Sequence, residues 1–555
     1  MRRRGAPGDF FVRPAAGGRA RSDREGGTGV AELPFLAGDE GRGHVLALLF
    51  FLAVFFIAVW GSWQGSLPAS DEAVIAQTAN EIRSIGRALP LRFDGAPVHD
   101  TPPVAPLLMA LFYSRFGVNE FAARFAVILL SMGAIYVTYC AGRAASRDWD
   151  PPAGRCPPPA AAEGECPRAH WGSLPTAAGF LSAVVLAASP IFGRFMPHIT
   201  IGLPFAFFAA LGLFGWFQLP RGRGGYVLWG AAVAGSVLSA GAGGLLLVCG
   251  ALAASAVDRD RRALWRAPGF FLATFIGVLI GGIWLVPETA RSGVSFFDNP
   301  LWAPLARVVR PSAGAPLAML DSLTNVWLRN LPWSVPATIA AARVVFFRKR
   351  GAREAGVSGV DAALLVFAAV MFVPLSLAGG DTLSSFLPVL PFVAVLSARE
   401  IARWLRRPGK DLAKRLWTLN HAATAVFCLL MLLVVTTPVS VRRTINDPIK
   451  DVARMAARIV PAGSRIGNFR QPYREQCARM LFYGDRPLER PLASAEEVAG
   501  ALREDPRMIF LSSARDVEML RSSAAFPFGI RVHFGAGDLV LFGARAADAP
   551  ETEAR

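Results

Sequence analysis

The chain has 555 residues, of which 53% are hydrophobic and 18% charged, with a formal net charge of +17 and a mean hydropathy of +0.39. Ordinary soluble domains carry about 25% charged residues, so this composition excludes that class and selects an integral membrane protein. The positive charge is mostly arginine gathered between apolar runs, with no reading module and no basic surface interleaved with aromatics, which argues topology and sets nucleic-acid partners aside.

Residues 1–43 are rich in Gly, Arg, Pro and Ala, lack an apolar period, and read as a disordered basic cytoplasmic tail. The run 45–63 is long enough to cross a hydrocarbon core of about 30 Å. It starts too late, and without a small-residue cleavage site, to be a cleaved leader. Further spans are expected at 120–142, 173–190, 198–218, 226–241, 243–257, 268–287, 326–347, 360–378, 384–398 and 416–437, about eleven in all. Alternate loops collect Arg143 and Arg147, Arg221 and Arg223, Arg259, Arg261 and Arg262, Arg348 to Arg353, and Arg399 to Arg415. By the positive-inside rule the N-terminus is cytoplasmic, and the odd span number puts everything after 437 on the outer, periplasmic side of an inner membrane.

Three segments therefore face outward at length: 64–119, 288–325 and the C-terminal region. Residues 438–547 read as a small α/β domain, with 548–555 as a tail. "DPIKDVARMAARIV" has a helical period, "SRIGNF", "RMIFLSS" and "DLVLFG" read as strands, and "FGIRVHFGAGDLVLFG" as a strand pair around a Gly-containing turn. Cys140, Cys249 and Cys428 lie in apolar runs where a thiol is a small hydrophobe. Cys156 and Cys166, with His170 nearby, match no common zinc spacing, and Cys477 has no obvious partner.

The first outer loop opens on "SDEAVIA". Ser70 suits an N-cap, Asp71 and Glu72 occupy the first turn, and Val74, Ile75, Ile82 and Ile85 form one apolar stripe before Gly86. The pattern predicts an amphipathic helix lying on the membrane surface. Acids at a helix N-terminus are favoured by the macrodipole whether or not they do chemistry.

The rest of the loop, "LRFDGAPVHDTPPVAPLLMALFYSRFGVNEFAARFAVILL", adds an order of motifs: the Asp71–Glu72 pair, then "DTPP" at 100–103, then "FG" and "AARF" entering a long span. This order resembles the polyprenyl-phosphate-sugar glycosyltransferases of the GT-C membrane fold, among them the aminoarabinose transferases of lipid A and the protein O-mannosyltransferases. "SPIFGRF" at 189–195, "NLPW" at 330–333 and "FLPVLPFVAVL" at 386–396 extend the resemblance over most of the chain.

The resemblance implies an α-helical polytopic fold with a small C-terminal α/β domain. It implies inverting transfer of a sugar from a polyprenyl-phosphate carrier to a lipid, glycan or protein acceptor beside membrane lipids. Asp71 would be the general base with Glu72 beside it, and Arg92, Arg124, Arg194 and His198 would bind substrate. Asp100, at the acid of the family's "[DE]KPP", and His99 would hold one divalent metal, Mg, Mn or Zn. The pattern departs from the family at three cation positions: Thr101 and Ala240 stand where it has lysine, and Asp381 lies near a third. His198 and Thr200 are all that "RFMPHITIGLP" offers where the family has a second aspartate. Either other cations serve, from among Arg83, Arg87, Arg92, Arg194, Arg291 and Arg307, or the chain is a catalytically inactive relative that binds a lipid carrier or a partner protein.

Overall fold

The computed structural model describes residues 39–62, 65–68, 71–149, 174–347, 358–378, 383–406, 411–436 and 448–545. The tail at 1–38, Ser70, Cys156, Cys166, His170 and Asp381 lie outside the described residues. Helix α1 (Asp39–Ser62) starts inside the stretch read as tail. After it come α2 (Asp71–Ile85), a two-stranded hairpin of β1 (Arg92–Phe93) and β2 (Ala96–Pro97), α3 (Val104–Phe116) and α4 (Glu120–Ala145). The hairpin turns on Asp94 and Gly95, whose φ values of 52° and 75° are the two positive angles that a type I′ turn demands. Asn119 caps α4 by accepting from the Ala122 amide at 2.8 Å.

The bundle continues through α5 (Leu174–Ala187), α6 (Pro190–Phe195), α7 (Gly202–Gln218), α8 (Arg223–Ala240), α9 (Leu246–Val257), α10 (Pro268–Ser292), α11 (Ala303–Val309), α12 (Ala315–Arg329), α13 (Ser334–Phe347), α14 (Gly359–Leu377), α15 (Leu390–Leu405) and α16 (Leu412–Thr436). Every run expected to span coincides with a helix. Among the described residues seven helical segments are long and apolar enough to cross a membrane, and Val45–Trp60, Val104–Phe116, Leu174–Ala187 and Ser334–Phe346 are shorter apolar helices. Two expected runs are cut differently: 384–398 opens on a 3₁₀ turn at Leu383–Val389 before α15 begins. The run 326–347 contains a break at Asn330–Trp333, so α12 ends at Arg329 and α13 begins only at Ser334. Small residues let helices touch: a Cβ on Gly179 of α5 would lie 2.7 Å from the Tyr139 carbonyl of α4.

Helix α4 carries 26 residues, about 39 Å at 1.5 Å per residue, long enough to cross a hydrocarbon layer about 30 Å thick. At its C-terminal end Arg399, fully buried, donates to the Ala145 carbonyl at 2.5 Å and pairs with Asp361 at 2.7 Å. Arg403 joins Asp361 to Glu400, and Arg343 reaches Glu400 at 2.7 Å. The network ties α4, α13, α14 and α15 together and leaves these buried charges compensated, which such burial requires.

At the other end Glu120 pairs with Lys450 of the C-terminal domain. That domain runs α17 (Ile449–Ile459), β3 (Ile466–Phe469), α18 (Tyr473–Gly484), β4 (Leu488–Leu492), α19 (Ala495–Glu504), β5 (Phe510–Ser513), α20 (Ala514–Ser522), β6 (Ile530–Ala536) and β7 (Leu539–Ala544). The sheet order is β4-β3-β5-β7-β6, parallel from β4 to β5 and antiparallel beyond. Phe510 and Phe542, opposite each other across β5 and β7, stack at 5.5 Å. Strand β4, "LERPL", escapes a hydrophobic pattern because its middle residues are charged or proline.

The domain sits on the first loop, and this changes the reading of α2. Helix α18 packs against α2, and α3 covers α2 as well. The Tyr483 hydroxyl accepts from the Leu67 amide at 2.7 Å, and Asp94 accepts from Tyr473 and Arg465 at 2.9 and 2.8 Å. Ala73, Val74 and Ala76 share one apolar core with Ile449, Val452 and Cys477. Helix α2 is therefore buried between protein surfaces instead of lying on a membrane surface. Its weak amphipathic stripe was read with one covering face where the fold supplies two.

Candidate active site

A cavity of about 860 Å³ opens where the start of α2, the "DTPP" segment, the end of α6, the α8–α9 turn and α12 converge. Asp71, Glu72 and Asp100 line it together with Arg194, His198, Asp321, Asn325 and Arg329. Two motifs build its wall by meeting each other. The Ser189 hydroxyl of "SPIFGRF" caps α6 and donates to Asn330 Oδ1 at 2.6 Å, while the Trp333 indole of "NLPW" donates to the Ala188 carbonyl at 2.9 Å. That seam sets Arg194, at the end of α6, and Arg329, at the end of α12, on one rim.

The acids are held differently. Asp71 is exposed and faces the cavity, whereas Glu72 is 4% exposed and takes the Arg124 Nε at 2.9 Å. Arg124 spends its remaining donors on the carbonyls of Ser62, Gly65 and Ser66, each at 3.2 Å. It lies outside the cavity lining and ties Glu72 to the backbone that leads into α2. Arg92 also lies outside: it donates to the Gly95 carbonyl at 3.1 Å and lines a small crevice with Glu81.

Asp100 accepts both guanidinium prongs of Arg474, at 2.6 and 2.8 Å, and the Thr101 hydroxyl at 3.0 Å. Burial pushes this carboxyl up, but the hydrogen bonds and charge of Arg474 outweigh burial and hold it below its ordinary value. His99 turns elsewhere, its Nδ1 2.5 Å from Glu288 Oε1, with Glu288 buried. Metal ligands must converge on one point with open lone pairs, and these two do not. Among the described residues no group of three or more His, Cys, Asp and Glu is arranged to hold a metal. In place of the expected Asp100–His99 metal pair stand an Asp100–Arg474 ion pair and a separate His99–Glu288 contact.

Among the lining residues that went unread in the sequence are Asp321, Asn325 and Arg329. Their signal was the i, i+4, i+8 spacing of polar residues along α12, with Leu320 and Leu323, both exposed, on its other side. Of the bare positions, Ala240 lines the cavity and Thr101 is buried beside Asp100. Thr200, another lining residue, has a buried hydroxyl with no hydrogen-bond partner among the described residues. A polar ligand would satisfy it.

The Asp100–Arg474 pair fixes the domain's seat on the loop, and its pH dependence has a definite sign. A depressed folded-state pKa adds stability above the unfolded value, near 3.8, and loses it as pH falls through the lower folded value. The thermal midpoint difference between wild type and Asp100→Asn should therefore stay constant from pH 8 to about 4 and close below. A difference that closes near neutral pH would point to another group.

The helical bundle under its small α/β domain has the apolar helices of a polytopic membrane protein, and the solved structures that it resembles share the GT-C fold. The chain is similar in structure to ArnT from Cupriavidus metallidurans in the apo state, with a TM-score of 0.61 and 17% identity over 92% of this chain and 100% of that one. The same protein bound to undecaprenyl phosphate gives 0.60, 16%, 93% and 100%. The Archaeoglobus fulgidus oligosaccharyltransferase, in complex with Zn and sulfate, gives 0.50 and 13% over 84% of this chain and 68% of that one. In sequence, an uncharacterised protein of Aquifex aeolicus (strain VF5) is 25% identical over 241 residues, 43% of this chain, so the match spans only 41% of that relative's length. No protein-family model matches the chain.

Proposed function

We propose that the chain is a membrane glycosyltransferase that moves a sugar from a polyprenyl-phosphate carrier to a lipid, glycan or protein acceptor on the outer face of an inner membrane. One observation carries the reading: Asp71, Asp100 and the cations Arg194 and Arg329 share a single cavity. ArnT's complex with undecaprenyl phosphate supports the choice of carrier, as do the apolar helices around the cavity, which suit a prenyl tail.

In this reading Asp71 accepts the proton of the acceptor hydroxyl as its oxygen attacks the anomeric carbon. The bond from that carbon to the phosphate oxygen breaks, configuration inverts, and the polyprenyl phosphate leaves with the electron pair. Negative charge grows on the phosphate as it leaves, and Arg194 and Arg329 are placed to stabilise it. No step requires a metal. The arginine-rich loops support a cytoplasmic N-terminus and a periplasmic C-terminal domain.

Comparative mass spectrometry of envelope lipids, glycans and glycoproteins from a deletion strain tests this. One class of molecule should lose a sugar and regain it with the wild-type gene. The purified chain should then transfer that sugar equally fast before and after exhaustive chelation. An unchanged inventory of sugar-bearing molecules would overturn the reading. Ala240 and Thr101, neutral where the resemblance leads one to expect lysines, favour the second reading, a relative that holds a lipid carrier without turning it over.

A further inference from the structure

Resting on the carrier-binding reading above, the geometry points to Arg474, contributed by the C-terminal domain, as a cation that binds the carrier's phosphate, with Asp100 as the carboxylate that occupies it until the phosphate displaces it. The first support is position. Arg474 grips a carboxylate that lines the cavity, at 2.6 and 2.8 Å through both prongs of its guanidinium. Asp71 is near enough to act on it electrostatically.

The second support is the shape of the group. A guanidinium fork matches a phosphate as well as a carboxylate, so an arriving phosphate can take over donors that Asp100 now uses. The third is the charge balance. Asp71 and Asp100 both face the space a phosphate must enter, and two carboxylates would repel it. Thr101 and Ala240 supply no charge there. Arg474, not itself a lining residue, holds a cation against the cavity wall through Asp100, while Arg194 and Arg329 come from α6 and α12.

The fourth support is rigidity. Arg474 sits in the first turn of α18, which packs on α2, and the neighbouring Tyr473 is bonded to Asp94 at 2.9 Å. The cation is thus preset before a ligand arrives, which lowers the ordering cost of binding.

The test measures binding of undecaprenyl phosphate to the full chain in detergent, with undecaprenol, the phosphate-free alcohol, as the control. Wild type should prefer the phosphate. Arg474→Ala should weaken phosphate binding about tenfold or more, the usual range for a lost charge-assisted hydrogen-bond pair, and leave undecaprenol binding unchanged. Arg474→Lys should recover part of the loss. Asp100→Asn breaks the same ion pair but frees the guanidinium, so it should bind the phosphate at least as tightly as wild type.

A merely structural clamp predicts equal losses from Arg474→Ala and Asp100→Asn, and that outcome would overturn the assignment. Wild-type affinity in Arg474→Ala would overturn it too, while leaving the carrier reading intact. If wild type itself showed no preference for the phosphate, the carrier reading would fail and take this inference with it.

Discussion

Asp71→Asn should abolish sugar transfer while leaving the protein folded. The substitution keeps the size of the side chain and removes only its capacity to take a proton, so the rate should fall by about 10²- to 10⁴-fold, the usual contribution of a positioned general base. Stability should barely move. Asp71 is exposed at the start of α2, and losing its charge there costs about 0.3–1 kcal/mol of dipole interaction. Turnover of purified protein, set beside its thermal midpoint, checks both halves. Normal turnover would remove Asp71 from the base role, and a collapsed midpoint would mean that the acid is structural.

Arg124→Ala should do the opposite, destabilising the fold first. The guanidinium answers Glu72 at 2.9 Å and three carbonyls of the α1–α2 connection at 3.2 Å, all from a buried position. Removing it takes away the cation facing a buried carboxylate, a change that costs about 3–5 kcal/mol. The effect should appear as a large fall in thermal midpoint. Adding Glu72→Gln should recover part of it, because the second change removes the charge that lost its counterion. Additive losses in the double variant would show that the carbonyl contacts, not the ion pair, carry the stabilisation.

The legible part of this molecule was the part set by local chemistry. Apolar runs separated by arginine clusters marked the helices, because a bilayer demands long apolar stretches and the cytoplasmic face tolerates cations. The Gly-containing turn within "FGIRVHFGAGDLVLFG" marked the β6–β7 pair, and the β-branched and aromatic runs "RMIFLSS" and "DLVLFG" marked two strands of the sheet. The paired acids of α2 were visible as well, since their spacing to "DTPP" is a feature of one short loop. Contacts made far along the chain left no such trace. Asp100 and Arg474 are 374 residues apart, and Ser189 and Asn330 are 141 apart.

For the same reason the metal reading of Asp100 and His99 was open to correction. Adjacency in sequence said that two ligand-type side chains were close, and nothing in the sequence said that an arginine from the far end of the chain would claim one and Glu288 the other. A charge expected inside a span is paired or functional, and Arg124 is paired, with the buried member of the acidic pair and the backbone that leads into it.

The apolar core that α2 shares with α17 and α18 has a consequence for anyone building hybrids of this protein. The C-terminal sheet is no accessory cap that a graft could exchange by itself, since the helix bearing the acids is half-clad by it. A chimera made by trading only the last hundred or so residues would join two surfaces shaped for other mates. Loop and sheet must travel as one block, inherited together or not at all.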